Sequence, residues 1–136
     1  MANEKTTNRS VKFAWPGIVV VPVKITYGTN GAITNWKGPG IVSVADGGTG
    51  IATITLAHGY AGGCVGLLGH SREGAASTAH LFPIVTTDNS DSTGSAPTVS
   101  ITLTAENGTA TDPTSTDVYT YFLAFDELNM VQTVTP

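Results

Sequence analysis

Basic residues are scarce. The 136-residue chain carries six Lys and Arg against ten Asp and Glu, for a formal net charge of −4. Nucleic acid is held by clustered cations that displace counterions from phosphates, and six scattered ones exclude it as the expected partner. Charge of either sign is thin at 12% of residues, about half the share of an ordinary soluble domain, so Ser, Thr and Asn must supply the polar surface. The single cysteine, Cys64, excludes an intrachain disulfide framework and fits intracellular synthesis. No apolar run approaches the ~18 residues that span a bilayer, and residues 1–10 (MANEKTTNRS) have no signal-peptide apolar stretch, so neither membrane insertion nor the usual secretory route is expected. Sustained helical periodicity is missing too. Even Gly59 to Gly74, with six glycines, admits at most a short helical turn.

What remains is strand. Ile18 to Thr26 (IVVVPVKIT) is β-branched, and Pro22, which lacks an N–H, points to an edge, a bulge or a break. Asn30-Gly31 supplies the positive φ of a hairpin, and Ala32 to Trp36 returns from it. Ile41 to Ala45 and Ile51 to Ala57 flank the pentad Asp46-Gly47-Gly48-Thr49-Gly50 as a second hairpin, and Ala79 to Thr87 is a further strand. In Thr98 to Thr104 (TVSITLT), Val99, Ile101 and Leu103 should enter the core while Ser100, Thr102 and Thr104 face water or a neighbour. Val118 to Phe125 begins by alternating and ends continuously apolar, as a central strand buried on both faces would. Asp88 to Pro97 and Glu106 to Asp117 read as loops. About eight short strands divided by Gly, Asn and Pro turns predict one all-β domain, a jelly-roll-like β-sandwich over residues 13–136, preceded by a flexible polar arm over residues 1–12.

Candidate chemistry is weak throughout. A phosphate loop needs Lys-Ser/Thr and a helix after its last glycine, whereas Gly50 leads into the strand former Ile51-Ala52-Thr53-Ile54, so the pentad reads as a hairpin bend. Gly69-His70-Ser71-Arg72-Glu73-Gly74 approaches a nucleophile elbow but has Glu73 where the second glycine belongs, and His70, Ser71 and Glu73 are too close in sequence to converge as a triad. His58, His70 and His80 with Cys64 lack the paired spacing of structural zinc sites. Asp88-Asn89-Ser90-Asp91-Ser92 lacks the remaining positions of a calcium loop. No metal, cofactor or catalytic residue is therefore expected. Trp15, beside Pro16 at the edge of the polar arm, is a candidate anchor for a partner's pocket or for the core.

The Gly-flanked strand IVSVA, then DGGTG, then the alternating IATITL over Gly38 to Leu56, with the polar arm and Thr-rich strands, resembles the capsid decoration, or cement, proteins of tailed bacteriophages. The resemblance covers about half the chain. It implies a non-enzymatic homotrimer on the outer surface of the virion capsid, bound to the major capsid protein, with an arm of Lys5, Arg9, Phe13 and Trp15 reaching the capsid or a neighbouring subunit. Two other readings stay open: a phage fibre or tail-spike tip that offers its long loops to a receptor or glycan, and a small hydrolase using Ser71.

Overall fold

The computed structural model describes residues 11–12, 17–75 and 80–128, the first two by backbone alone. The strands are β1 (Val11–Lys12), β2 (Ile18–Tyr27), β3 (Ile33–Lys37), β4 (Ile41–Gly48), β5 (Ile51–Leu56), β6 (Cys64–Glu73), β7 (Phe82–Asn89), β8 (Thr98–Thr104) and β9 (Val118–Asp126). Among the described residues the only helix is a 3-10 turn, Thr29–Gly31. The fold is an all-β sandwich of two antiparallel sheets, each four strands wide. One runs β2–β9–β6, with β1 and β3 sharing the outer edge of β2; the other runs β4–β5–β8–β7. The last two residues of the expected arm are those of β1, which pair with Val19 and Val20; residues 1–10 lie outside the described part.

β8 lies between β5 and β7, and β9 between β2 and β6, so the last two strands each join neighbours that are distant in sequence. This interleaving is the jelly-roll-like feature of the sandwich. The β2–β3, β4–β5 and β7–β8 hairpins set it apart from an eight-strand roll.

Period-two burial fills the core. Val19, Val21, Val23, Ile25 and Tyr27 of β2 face Ala52, Ile54 and Leu56 of β5 and Val99, Ile101 and Leu103 of β8, and Tyr119, Tyr121, Leu123 and Phe125 complete the layer from β9. As its apolar ending requires, β9 buries Leu123, Ala124 and Phe125 on both faces. The expected outward residues of β8 face a neighbour as much as water: the Thr102 hydroxyl meets that of Thr86 at 2.8 Å, and Thr104 Oγ1 donates to the Phe82 carbonyl at 3.2 Å.

Two local features have simple causes. β2 runs unbroken through Pro22, which falls in the gap between β1 and β3. The Pro22 carbonyl points toward Gly38, and an N–H on an extended residue would point to the same unpaired side, so its absence costs no ladder bond. At the first hairpin Asn30 (φ 56°) and Gly31 (φ 74°) supply the expected positive φ, but the turn is a 3-10 loop closed by Gly28 N–H donating to the Ala32 carbonyl at 2.6 Å.

The segment expected to hold at most a helical turn is instead β6, ten residues long. Two bulges disguise it. The register against β9 slips between Cys64 and Gly66 and again between Leu67 and Gly69, so the residues opposite the inward side chains of β9 are Cys64, Leu67, His70 and Arg72. Steps of three replace steps of two, and the sequence loses the alternation that identifies a strand.

Candidate functional site

The glycine pentad is structural. β4 continues through Asp46, Gly47 and Gly48, and the bend itself is Thr49-Gly50. Asp46 Oδ1 accepts the Gly48 N–H at 2.9 Å. Gly50 is held from the far loop: its N–H donates to Asp112 Oδ1 at 2.7 Å and its carbonyl accepts the Leu103 N–H at 2.8 Å. Its φ of 69° and the closeness of the Leu103 and Thr111 backbone leave no room for a side chain. The Gly48 and Gly50 amides are thus spent within the fold rather than turned to a ligand.

His70, Ser71 and Glu73 do not converge. His70 and Ser71 are successive residues of β6 paired with Tyr121 and Thr120, so their side chains leave opposite faces of the sheet. Glu73 forms an exposed ion pair with Lys24 at 3.1 Å. Arg72 turns inward to a buried pair: Nη2 lies 3.1 Å from Asp117 Oδ2 and 3.3 Å from Oδ1, with Nε 3.3 Å from Oδ2. The tyrosines beside it are packing groups. Tyr27 and Tyr121 share a buried hydroxyl contact of 3.0 Å, and burial pushes the Tyr27 phenol up to about 12 and the Tyr121 phenol higher still.

Of the four residues weighed as zinc ligands, the fold brings two together: the Nε2 atoms of His70 and His80 are 3.0 Å apart. His58 instead packs against the Tyr60 ring at 4.7 Å. Cys64 is half-buried, with Sγ 3.8 Å from the Gly66 carbonyl, and burial pushes its thiol up to about 11. Among the described residues no three His, Cys, Asp or Glu gather as a metal site. Asp88 is occupied as well. It lies in β7, rather than the expected loop, and accepts the backbone N–H groups of Cys64 and Ser90, both at 3.0 Å. That ties β7 to the start of β6.

The feature that the sequence did not disclose is on the outer face of β6. Val65 and Leu68 are the extra residues of the two bulges and stand 56% and 54% exposed, beside Phe122 at 38%. Phe122 pairs with Gly69 on one side and Pro22 on the other, so the β6 residue directly opposite it has no side chain to cover its ring. A shallow depression of about 210 Å³, lined by Pro22, Lys24, Lys37, Gly38, Pro39 and Thr120, continues this face past Pro22. The outer face of the sheet is thus apolar at one end and charged at the Lys24–Glu73 end. Lys5, Arg9, Phe13 and Trp15, the expected contact residues, all lie outside the described residues.

No protein-family model, curated protein or solved structure matches the chain.

Proposed function

We propose that this protein is a non-enzymatic structural protein of a phage virion, a decoration or cement protein that binds the major capsid protein on the outer surface of the head as a homotrimer. The observation that carries the reading is the apolar outer face of β6. Two bulges turn aliphatic side chains outward there, beside a half-exposed phenylalanine. Covering such a face with a protein partner is favoured by about 25 cal/mol per Å² of apolar area removed from water, and a bulged edge strand resists indiscriminate pairing with other strands. The resemblance over Gly38 to Leu56 points the same way. The partner is an assembled shell, which a ligand specific for it stabilises by mass action and, as a trimer, by avidity.

The fibre-tip reading needs two free loops. The loop after β8 is pinned by the bonds Asp112 makes to Gly50 and Asp117 to Arg72, and by Thr111 N–H donating to the Leu103 carbonyl at 2.9 Å, which favours the capsid. Co-sedimentation with heads stripped of accessory proteins tests the proposal. Wild-type protein should pellet with heads, Leu68→Asp and Val65→Asp should lose most binding while staying folded, and deletion of residues 1–12 should weaken it. Full head binding by both Asp variants, or binding to host cells but not to heads, would overturn it.

A further inference from the structure

His70 and His80 come from different parts of the sandwich. His70 lies in β6, the edge strand of one sheet, and His80 precedes β7, the edge strand of the other. Their Nε2 atoms meet at 3.0 Å, with ring centroids 5.2 Å apart and planes at 43°. The contact joins a ring from each sheet edge, at the side of a cleft of about 580 Å³ lined by His80, Leu81, Phe82, Ala105, Glu106 and Asn107.

We propose that His70 and His80 form a bidentate site for a borderline divalent transition-metal ion of the copper, nickel and zinc class, which would strap the β6 edge to the β7 edge. Two nitrogens 3.0 Å apart, each about 2.0–2.1 Å from an ion, subtend an angle of roughly 94° there, close to adjacent positions of a square-planar or octahedral centre. The tetrahedral angle would need a separation of about 3.3 Å. The rings now point nearly nose to nose, one donating Nε2–H to the other. Chelation requires that proton to move to Nδ1 and each ring to tilt by roughly 40°, which the broad χ2 of histidine allows. His80 is exposed and His70 half-exposed, so an ion can reach both.

With no third protein ligand gathered among the described residues, water fills the remaining positions. Oxygen-seeking cations gain nothing from two imidazoles, so Mg²⁺ and Ca²⁺ are excluded.

The test is titration of the full chain with Cu²⁺, Ni²⁺ and Zn²⁺, followed by calorimetry and by NMR of the histidine rings. One ion should bind per chain, Cu²⁺ most tightly, and paramagnetic Ni²⁺ should broaden the ring signals of His70 and His80 while sparing those of His58. Free metal at 100 times its dissociation constant should raise the folded-to-unfolded ratio about 100-fold. His70→Ala and His80→Ala should each weaken binding by at least the roughly 10–100-fold that losing a mere outer-shell partner costs, and His58→Ala should leave it unchanged. Equal binding by the wild type and both alanine variants, first broadening at His58, or equal stabilisation by Mg²⁺ would overturn the site; the wild-type NMR experiment decides even if a variant folds poorly.

Discussion

Removing Arg72 should unfold this domain far more readily than removing any surface charge. The Arg72 and Asp117 side chains are 10% and 3% exposed, and three N···O contacts between 3.1 and 3.3 Å join them. Arg72→Met keeps most of the aliphatic stem but leaves the Asp117 carboxylate buried without its cation, a change that costs about 3–5 kcal/mol. For a domain of this size that corresponds to a loss of roughly 10–20 °C in Tm. Lys24→Met is the matched control: its pair with Glu73 is 46% and 66% exposed, and such pairs contribute about 0–1 kcal/mol. The double variant Arg72→Met/Asp117→Leu should recover most of the loss, because an apolar pair of similar volume often replaces a buried ion pair without penalty. Urea unfolding of the wild type and the three variants measures all these differences with one denaturation slope. The reasoning fails if Arg72→Met and Lys24→Met agree within about 1 kcal/mol, or if the double variant is no more stable than Arg72→Met alone.

The Tyr27–Tyr121 contact behaves similarly on a smaller scale: Tyr27→Phe should cost about 1–3 kcal/mol in urea by leaving the Tyr121 hydroxyl unpaired, and Tyr27→Phe/Tyr121→Phe should lie closer to wild type. Alkaline stability should fall. Burial raises Cys64 from an ordinary 9.0 to about 11 and Tyr27 from 10.0 to about 12, so the folded state holds protons that the unfolded state gives up. Their contribution is complete below pH 9, declines as pH passes those ordinary values and is gone above the raised ones. The urea midpoint should therefore drop between about pH 9 and pH 12, and a flat profile over that range would contradict it. At pH 8 the native Cys64 thiol should react with a disulfide reagent much more slowly than in urea; equal rates would show that the fold does not shelter it.

The strands that alternate were legible in the sequence. Val99, Ile101 and Leu103 entered the core because nothing interrupts TVSITLT, and the pentad ends in a hairpin bend at Thr49-Gly50 because a strand former follows, although β4 runs farther into it, to Gly48, than its glycines suggest. β6 was not legible, since its bulges replace alternation with steps of three and its glycines suggest a loop. β7 extends past its expected end for a related reason: Asp88 and Asn89 look like turn residues, but Asp88 turns its carboxylate to backbone amides of β6 and the end of β7. The His70–His80 contact depends on how two sheet edges meet, which spacing along the chain does not encode. The outward aliphatics of β6 were hidden with the strand that carries them.

The interleaving of β8 and β9 also has a kinetic side. β2 waits for β9, and β5 waits for β8, so neither sheet can close until the C-terminal third of the chain has been made. Until then β2, β5 and β6 each present an unpaired backbone edge to solvent. Such a chain emerges from the ribosome with its most β-prone segments open to other nascent copies, and pairing across so much sequence is slow, on the order of milliseconds to seconds. The scarcity of charge gives little repulsion in that interval, so yield on expression should depend on synthesis rate more steeply than native stability alone would suggest.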